Sequence, residues 1–207
     1  MRENHRASAD DIRRLDEVVD SLYKQVKFYL TQVSRTPMGE RDSRRWTDII
    51  SFTINLEQVG DIIEKSANDV VNKNLDRNRN FSEAGMTELC DLHSRLITNL
   101  RLAMNVFINN DVNDAQKLIA EKVMFRELEL VNYEKHLTRL ADQTVQSIET
   151  SSLHLDLMRD LKRVNSHFCS VAYPILEAAG VLSQSRLRSV AHERADESAA
   201  AIAEKQG

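Results

Sequence analysis

Two pairs of acidic residues stand at a spacing that suits the binding of a metal ion. Asp16 and Asp20 lie four residues apart, and so do Glu57 and Asp61. Residues at this spacing on a helix project from one face, one turn apart. If the two segments form neighbouring antiparallel helices, the four carboxylates converge on an oxygen-rich site of the kind that Mg, Mn, Ca or iron prefers.

The same spacing has a simpler interpretation. With 32 acidic residues in a chain of 207, chance gives roughly five such pairs. The sequence has four, the other two being Asp156/Asp160 and Glu193/Glu197. A solvated acidic face is therefore the alternative to a metal site, and the spacing alone does not separate the two.

An internal repeat places any metal site in the first half of the chain. The segment around the second acid pair returns 105 residues later with its apolar residues kept. In that second copy Lys162 stands at the position of Glu57, and Ser166 stands at that of Asp61. One helical unit has been used twice, and only its first copy keeps the acids.

Composition excludes several classes of protein. The 28 basic and 32 acidic residues are interleaved and sum to a net charge of −4, which argues against a general nucleic-acid binder. No apolar run reaches the length of about 18 residues that a membrane-spanning helix needs. Cys90 and Cys169 lack any paired-cysteine spacing, so we expect two buried thiols in a reducing cytoplasm.

The pattern of apolar residues predicts about five long helices, because Gly and Pro are rare and the stripes follow the helical period. The first helix is expected to start at an N-cap at Ser8. Its stripe of apolar residues is Ile12, Leu15, Val19, Leu22, Val26, Tyr29 and Val33. Stripes of this kind, joined by short turns, are typical of antiparallel bundles.

The expected architecture is all-α, with tandem antiparallel helical bundles built from two repeated units. Residues 1–80 form the first unit, residues 81–182 the second, and residues 183–207 a flexible or frayed helical tail. Ser82 has the position of an N-cap for the third helix, and Pro174 is expected to kink the fifth.

No motif of a catalytic centre is present, so we do not expect an enzyme. The chain lacks a Gly-rich phosphate loop, a nucleophile elbow and any recognisable triad. A ferritin-like di-iron enzyme or store is disfavoured, because no Glu-x-x-His occurs. We expect His136 with Arg139 on a polar helix surface, and His167 as a capped or core histidine.

The acidic segments carry a resemblance to a known family. Leu56–Asp61 resembles the signature of the PhoU family, an acid-x-x-x-Asp motif on a long bundle helix, and Leu15–Asp20 resembles its companion motif. The resemblance implies two three-helix units in tandem and multinuclear metal binding at the bundle surface. The ligands it implies for a divalent or iron-type metal ion in the first unit are Asp16, Asp20, Glu57 and Asp61.

The second half carries a closer resemblance. Runs at 136–140, 151–157 and 159–167, together with the first-helix segment 18–30, resemble the PhoU-type domain at the C-terminus of bacterial Na/Pi cotransporters. The resemblance covers residues 8–182. It implies a cytoplasmic regulatory domain at the inner face of the cell membrane, whose partner is the membrane domain of a sodium-dependent phosphate transporter and which regulates phosphate uptake.

A second hypothesis stays open at this point. A free-standing PhoU-like regulator would act in trans on a transporter or a histidine kinase, and apolar faces exposed on short bundles predict self-association as a homodimer. The sequence departs from the family at Lys65, where many PhoU proteins have an asparagine, and in the second metal motif, which is absent. One metal site is therefore expected, not two.

Overall fold

The computed structural model describes residues 2–75 and 79–181, and the tail predicted for residues 183–207 lies outside them. Every regular element within the described ranges is helical, which confirms the all-α prediction. The elements are α1 (Arg2–Val33), α2 (Glu40–Val70) with a π-helical extension (Val71–Leu75), α3 (Glu83–Asn109), α4 (Val112–Ala141), α5 (Val145–Cys169) and α6 (Ala172–Ala178). None of the described helices combines the length and hydropathy needed to cross a bilayer.

Polar side chains set the starts of the central helices. The Ser82 hydroxyl accepts a hydrogen bond from the Gly85 amide at 3.2 Å, which confirms the N-cap predicted for α3. At the start of α4, Asp111 accepts from the Asp114 amide at 2.8 Å. The N-cap predicted at Ser8 is wrong, because α1 extends back to its second residue through a stretch with no Gly or Pro to stop it.

Helices α3, α4 and α5 pack against one another and enclose most of the core. Side chains that are wholly inaccessible there are Leu92, Ala103, Val106, Ala115, Leu118 and Phe125. Fully burying a large apolar side chain contributes about 1.5–3 kcal/mol, so this three-helix core dominates the stability of the described fold. Helix α2 joins it by packing on α5, and α1 packs on α2.

The internal repeat corresponds to two helical hairpins, α1–α2 and α4–α5. Helix α5 begins 105 residues after α2 begins, which is the separation of Leu161 from Leu56. Within the first hairpin, Trp46 donates to the Leu30 carbonyl at 2.9 Å, and Gly60 faces Asp16 further along, so the two helices run antiparallel. The division of the chain at residues 80 and 81 stays a prediction.

The kink predicted at Pro174 is present as the break between α5 and α6. A proline lacks the amide hydrogen that would bond to the carbonyl four residues earlier. The Ser170 carbonyl instead accepts from the Tyr173 amide at 3.3 Å, which tightens this turn. The helix resumes at once and carries on along α4.

The two cysteines differ in their surroundings. Cys169 is wholly buried, as predicted, and burial raises the pKa of its thiol to about 12. The prediction of a buried thiol at Cys90 is wrong, because this residue lies on the outer face of α3 and is exposed. A helical stripe defines which side faces the core, but Cys90 lies just outside it, next to the buried Leu89.

Candidate metal centre

The antiparallel hairpin of α1 and α2 brings three of the predicted ligands together. Carboxylate oxygens of Asp16, Asp20 and Asp61 all lie within 4.8 Å of one another. Asp16 and Asp20 are half-buried, whereas Asp61 is exposed. Three anionic oxygens at this separation match the donors of a hard divalent or iron-type cation. The residues therefore fit such an ion.

Gly60 makes this approach of the two helices possible. A Cβ atom built on Gly60 would overlap the Oδ1 atom of Asp16 and would lie 3.6 Å from Cγ1 of Val19. The missing side chain on α2 leaves the space that the Asp16 carboxylate occupies. The sequence motif identified the acids, but only the packing shows what the glycine between them does.

The electrostatics of the cluster show uncompensated negative charge. Burial raises the pKa of the Asp16 carboxyl above its ordinary value, and the charges of Asp61 and Asp20 raise it further. Burial likewise raises the pKa of Glu57, with added contributions from Asp61, Asp20 and Asp16. Glu57 thus belongs to the same electrostatic field, although its oxygens are not among the three that converge.

One basic side chain reaches the cluster in the described part of the chain. Lys24 lies 3.6 Å from Asp20 and is itself largely exposed, so this ion pair contributes little. Within residues 7–73 and 79–181, whose side chains the structure describes, no ion pair is formed by Asp16, Glu57 or Asp61. A bound cation would relieve the repulsion between them and would tie α1 to α2.

The second copy of the motif has been converted to ordinary ion pairs. Lys162, at the position of Glu57, lies 2.7 Å from Glu129 of α4. The acid pair in the same helix is also neutralised, since Asp156 contacts Arg159 at 2.7 Å and Asp160 contacts Arg163 at 3.2 Å. The repeat therefore keeps its helix packing while losing the cluster of unpaired acids.

Lys65, the position that departs from the family pattern, serves the packing of the two hairpins. Its ammonium lies 3.7 Å from the buried carboxylate of Asp160 in α5. The Ser66 hydroxyl donates to the same carboxylate at 3.3 Å. The lysine therefore lies at the contact between α2 and α5. Its positive charge offsets the cost of burying the Asp160 carboxylate, and it is the charged partner that the other hairpin supplies.

A second polar cluster, which the sequence analysis missed, is buried among α3, α4 and α5. Arg139 donates to both carboxylate oxygens of Glu88 at 2.7 Å. The ring of His136 stacks on that of His154 with 4.7 Å between centroids, and both rings are buried. The prediction of a polar surface at His136 and Arg139 is wrong, because these residues face the N-terminal turns of α3.

The two rings of this cluster are held neutral. Burial lowers the pKa of His136, and the neighbouring charge of Arg139 lowers it further. Burial also lowers the pKa of His154, with a smaller effect from His136. His136 bonds to the Ser151 hydroxyl at 2.9 Å, and His154 bonds to the Gly85 carbonyl at 3.2 Å.

These shifts predict that the fold loses stability on mild acidification. A histidine whose pKa is lower in the folded chain binds its proton more readily when unfolded. Its contribution is complete above the ordinary pKa of about 6.5 and is lost as the pH falls below it. Urea unfolding should therefore show a lower midpoint at about pH 5.5 than at about pH 7.5, and His136→Gln should flatten that dependence. A midpoint that rises on acidification would contradict the assignment.

Comparisons with known proteins identify the family to which the helical hairpins belong. A family model described as the PhoU domain matches residues 1–70 and 89–175. The putative inorganic phosphate export proteins YjbB of Salmonella typhimurium and Escherichia coli strain K12 are 46% and 44% identical to this chain, over 80% and 81% of its length. The chain spans 31% of the length of those relatives.

The fold also matches a solved structure. The crystal structure of PhoU from Pseudomonas aeruginosa superposes with a TM-score of 0.70 at 16% identity, over 81% of this chain and 79% of that one. A match at this identity shows the fold. Since the family model covers most of the chain, this chain belongs to the PhoU domain family.

Proposed function

We propose that this chain is a regulatory domain of a phosphate-transporting membrane protein. The observation that carries the proposal is its 46% identity over 80% of its length to a protein named for putative inorganic phosphate export. The chain spans 31% of the length of that relative. The partner in this proposal is a membrane domain of the same transport protein, and the PhoU-type domain sits at the inner face of the membrane.

The direction of transport implied by the sequence resemblance differs from the direction in the names of the relatives. The resemblance to Na/Pi cotransporters implies sodium-dependent uptake, whereas the relatives are named for export. The common element is control of phosphate movement by a helical domain without turnover of its own. Sodium coupling and the sign of the flux belong to the membrane domain and are measured there.

The acid face of α1 and α2 is the regulatory element in this proposal. Asp16, Asp20 and Asp61 supply the ligand oxygens, and Glu57 adds charge one turn away. A hard divalent or iron-type ion supplies positive charge there and links the two helices. Because α1 contacts the described fold chiefly through α2, the ion sets how firmly α1 is held.

The proposal is tested by phosphate flux in cells that produce the intact gene product. Replacing Asp16 and Asp61 by asparagine should change radiolabelled phosphate uptake or efflux by severalfold. The matched control is Asp10→Asn with Asp11→Asn, which removes two exposed acids of the same helix that pair with arginines three residues on. Equal flux in wild type, variant and control would contradict a regulatory role for the acid face.

A second candidate is a free-standing regulator that acts in trans on a transporter or a histidine kinase. The observation that favours it is the match to PhoU of Pseudomonas aeruginosa, of which this chain covers 79%. This candidate predicts a homodimer by analytical ultracentrifugation and co-purification with a separate membrane protein. If this domain controls phosphate flux only when it is joined to the membrane domain in one polypeptide, that result supports the first candidate.

A further inference from the structure

The hydrogen bonds of the buried histidine pair fix which ring nitrogen carries the hydrogen. Nε2 of His154 lies 3.2 Å from the Gly85 carbonyl oxygen, which can only accept, so Nε2 carries the hydrogen and Nδ1 is bare. In His136, Nδ1 lies 3.4 Å from a guanidinium nitrogen of Arg139, which can only donate. Nδ1 is therefore bare in this ring too, and Nε2 donates to the Ser151 hydroxyl at 2.9 Å.

Neither ring can take up a second proton in this arrangement without a cost. Nδ1 of His154 is buried and has no hydrogen-bond partner in the part of the chain that the structure describes, so a hydrogen added there would be left unsatisfied. A hydrogen added to Nδ1 of His136 would face the Arg139 guanidinium, donor against donor. The rings are stacked with 4.7 Å between centroids, so two positive rings would also repel each other.

The charges around the two rings do not offset two further protons. Among the described residues, the charged groups that face the rings are Glu88 of α3 and Arg139 of α4, while α5 contributes His154 itself. Both carboxylate oxygens of Glu88 already accept from Arg139 at 2.7 Å. One carboxylate is thus balanced by one guanidinium at neutral pH, and protonation of both rings would leave two positive charges in excess.

The same cluster holds the first two turns of α3 against α4 and α5. Gly85 is buried beneath the His154 ring, and a Cβ atom built on it would lie 3.4 Å from that ring. Glu88 follows three residues later and is held by Arg139 of α4. Phe81, just before α3, also packs on the His154 ring with 6.1 Å between centroids. The other residues of these turns are exposed, namely Glu83, Ala84, Met86 and Thr87.

We propose that the histidine pair is a pH-operated latch, which holds the start of α3 closed at neutral pH and releases it on mild acidification before the rest of the bundle unfolds. The later part of α3 is anchored separately by wholly buried apolar side chains, among them Ala103 and Val106. Because α3 follows the first hairpin in the chain, the latch controls how that hairpin is joined to the second one. The inference is independent of metal binding and of a membrane partner.

The sign and size of the response follow from proton linkage. In the open state both rings are hydrated and bind a proton with the ordinary pKa of about 6.5, whereas in the closed state burial lowers the pKa of each ring. Each pH unit below about 6.5 should therefore shift the equilibrium towards the open state by up to about tenfold for one histidine and about a hundredfold for both. The latch is closed above that pH and opens below it.

Distances between pairs of spin labels, measured by pulsed electron paramagnetic resonance, test the latch. In a Cys90→Ser background, labels at Met86→Cys and Ser152→Cys report on the start of α3 relative to α5, since both positions are exposed and Cys169 is buried. A second pair, Met104→Cys with Ser152→Cys, reports on the later part of α3. Between about pH 7.5 and about pH 5, the first distance distribution should broaden reversibly and the second should stay unchanged.

Glutamine variants separate the latch from general effects of acid. His136→Gln with His154→Gln keeps a donor at each Nε2 position but has no proton to gain, so the first distribution should stay narrow at about pH 5. The matched control is His93→Gln, which removes an exposed histidine of the same helix and should respond as the wild type does. His154→Gln alone leaves one protonation site and should make the opening less steep in pH.

Three results would overturn the proposal. The first is a Met86 pair whose distribution stays narrow at about pH 5, and the second is broadening that persists in the double glutamine variant. The third is broadening of both pairs together, because the bundle would then unfold as a whole. If circular dichroism shows that the double variant has lost its helices, His154→Gln decides, and a response as steep as that of the wild type would contradict the latch.

Discussion

Replacing Asp16 and Asp61 together by asparagine is expected to weaken metal binding to this chain strongly. The change keeps the size of both side chains but removes two of the three anionic oxygens that converge within 4.8 Å. Hard cations lose affinity steeply as ligand charge is removed, so we expect a loss on the order of 100-fold or more. Isothermal titration with Mn²⁺ measures it directly.

The repeat provides a control for this titration. Asp10→Asn with Asp11→Asn removes the same charge from the exposed start of α1 and should leave the affinity unchanged. Lys162 and Ser166 stand at the positions of Glu57 and Asp61 in the second hairpin, so their replacement by alanine should also be without effect. Retention of wild-type affinity by the asparagine variant would exclude the proposed ligands.

Replacing Arg139 by methionine is expected to cause the largest loss of stability. The change leaves the Glu88 carboxylate, which is 6% accessible, without the arginine that contacts both of its oxygens at 2.7 Å. Removing one partner of a buried ion pair costs about 3–5 kcal/mol, because the remaining charge stays desolvated. Urea unfolding at neutral pH gives the free energy of unfolding for both proteins.

The double replacement tells the ion pair apart from the loss of packing. Glu88→Leu with Arg139→Met removes both charges and keeps the volume, so it should recover most of the stability lost in the single variant. A double variant as unstable as Arg139→Met alone would mean that the arginine acts through its packing. The two outcomes differ by several kcal/mol, which the urea midpoint resolves easily.

The sequence predicts features that follow from the spacing of residues along each helix and from local backbone chemistry. The convergence of Asp16, Asp20 and Asp61 follows from two pairs at a one-turn spacing on neighbouring antiparallel helices. The cap at Ser82 and the break near Pro174 also follow from local chemistry, a hydroxyl that accepts an amide and a proline that lacks one.

Features that depend on which helices meet are less visible in the sequence. Glu88, Arg139 and His154 come from three helices, and each has the appearance of a surface residue in its own segment. The stripe of α1 presents a similar difficulty, because periodicity gives the width of an apolar face but not the number of partners that cover it. Leu15 and Val19 belong to one pattern, yet one is exposed and the other faces α2.

The most direct test of the metal site, the central element of this account, is elemental analysis of the purified protein beside its Glu57→Ala, Asp61→Ala variant. We predict a stoichiometric amount of a divalent or iron-type metal in the wild-type protein and its loss in the variant, with both proteins equally helical. The absence of metal from the wild type, or equal amounts of metal in both, would contradict the account and leave these acids as a solvated face.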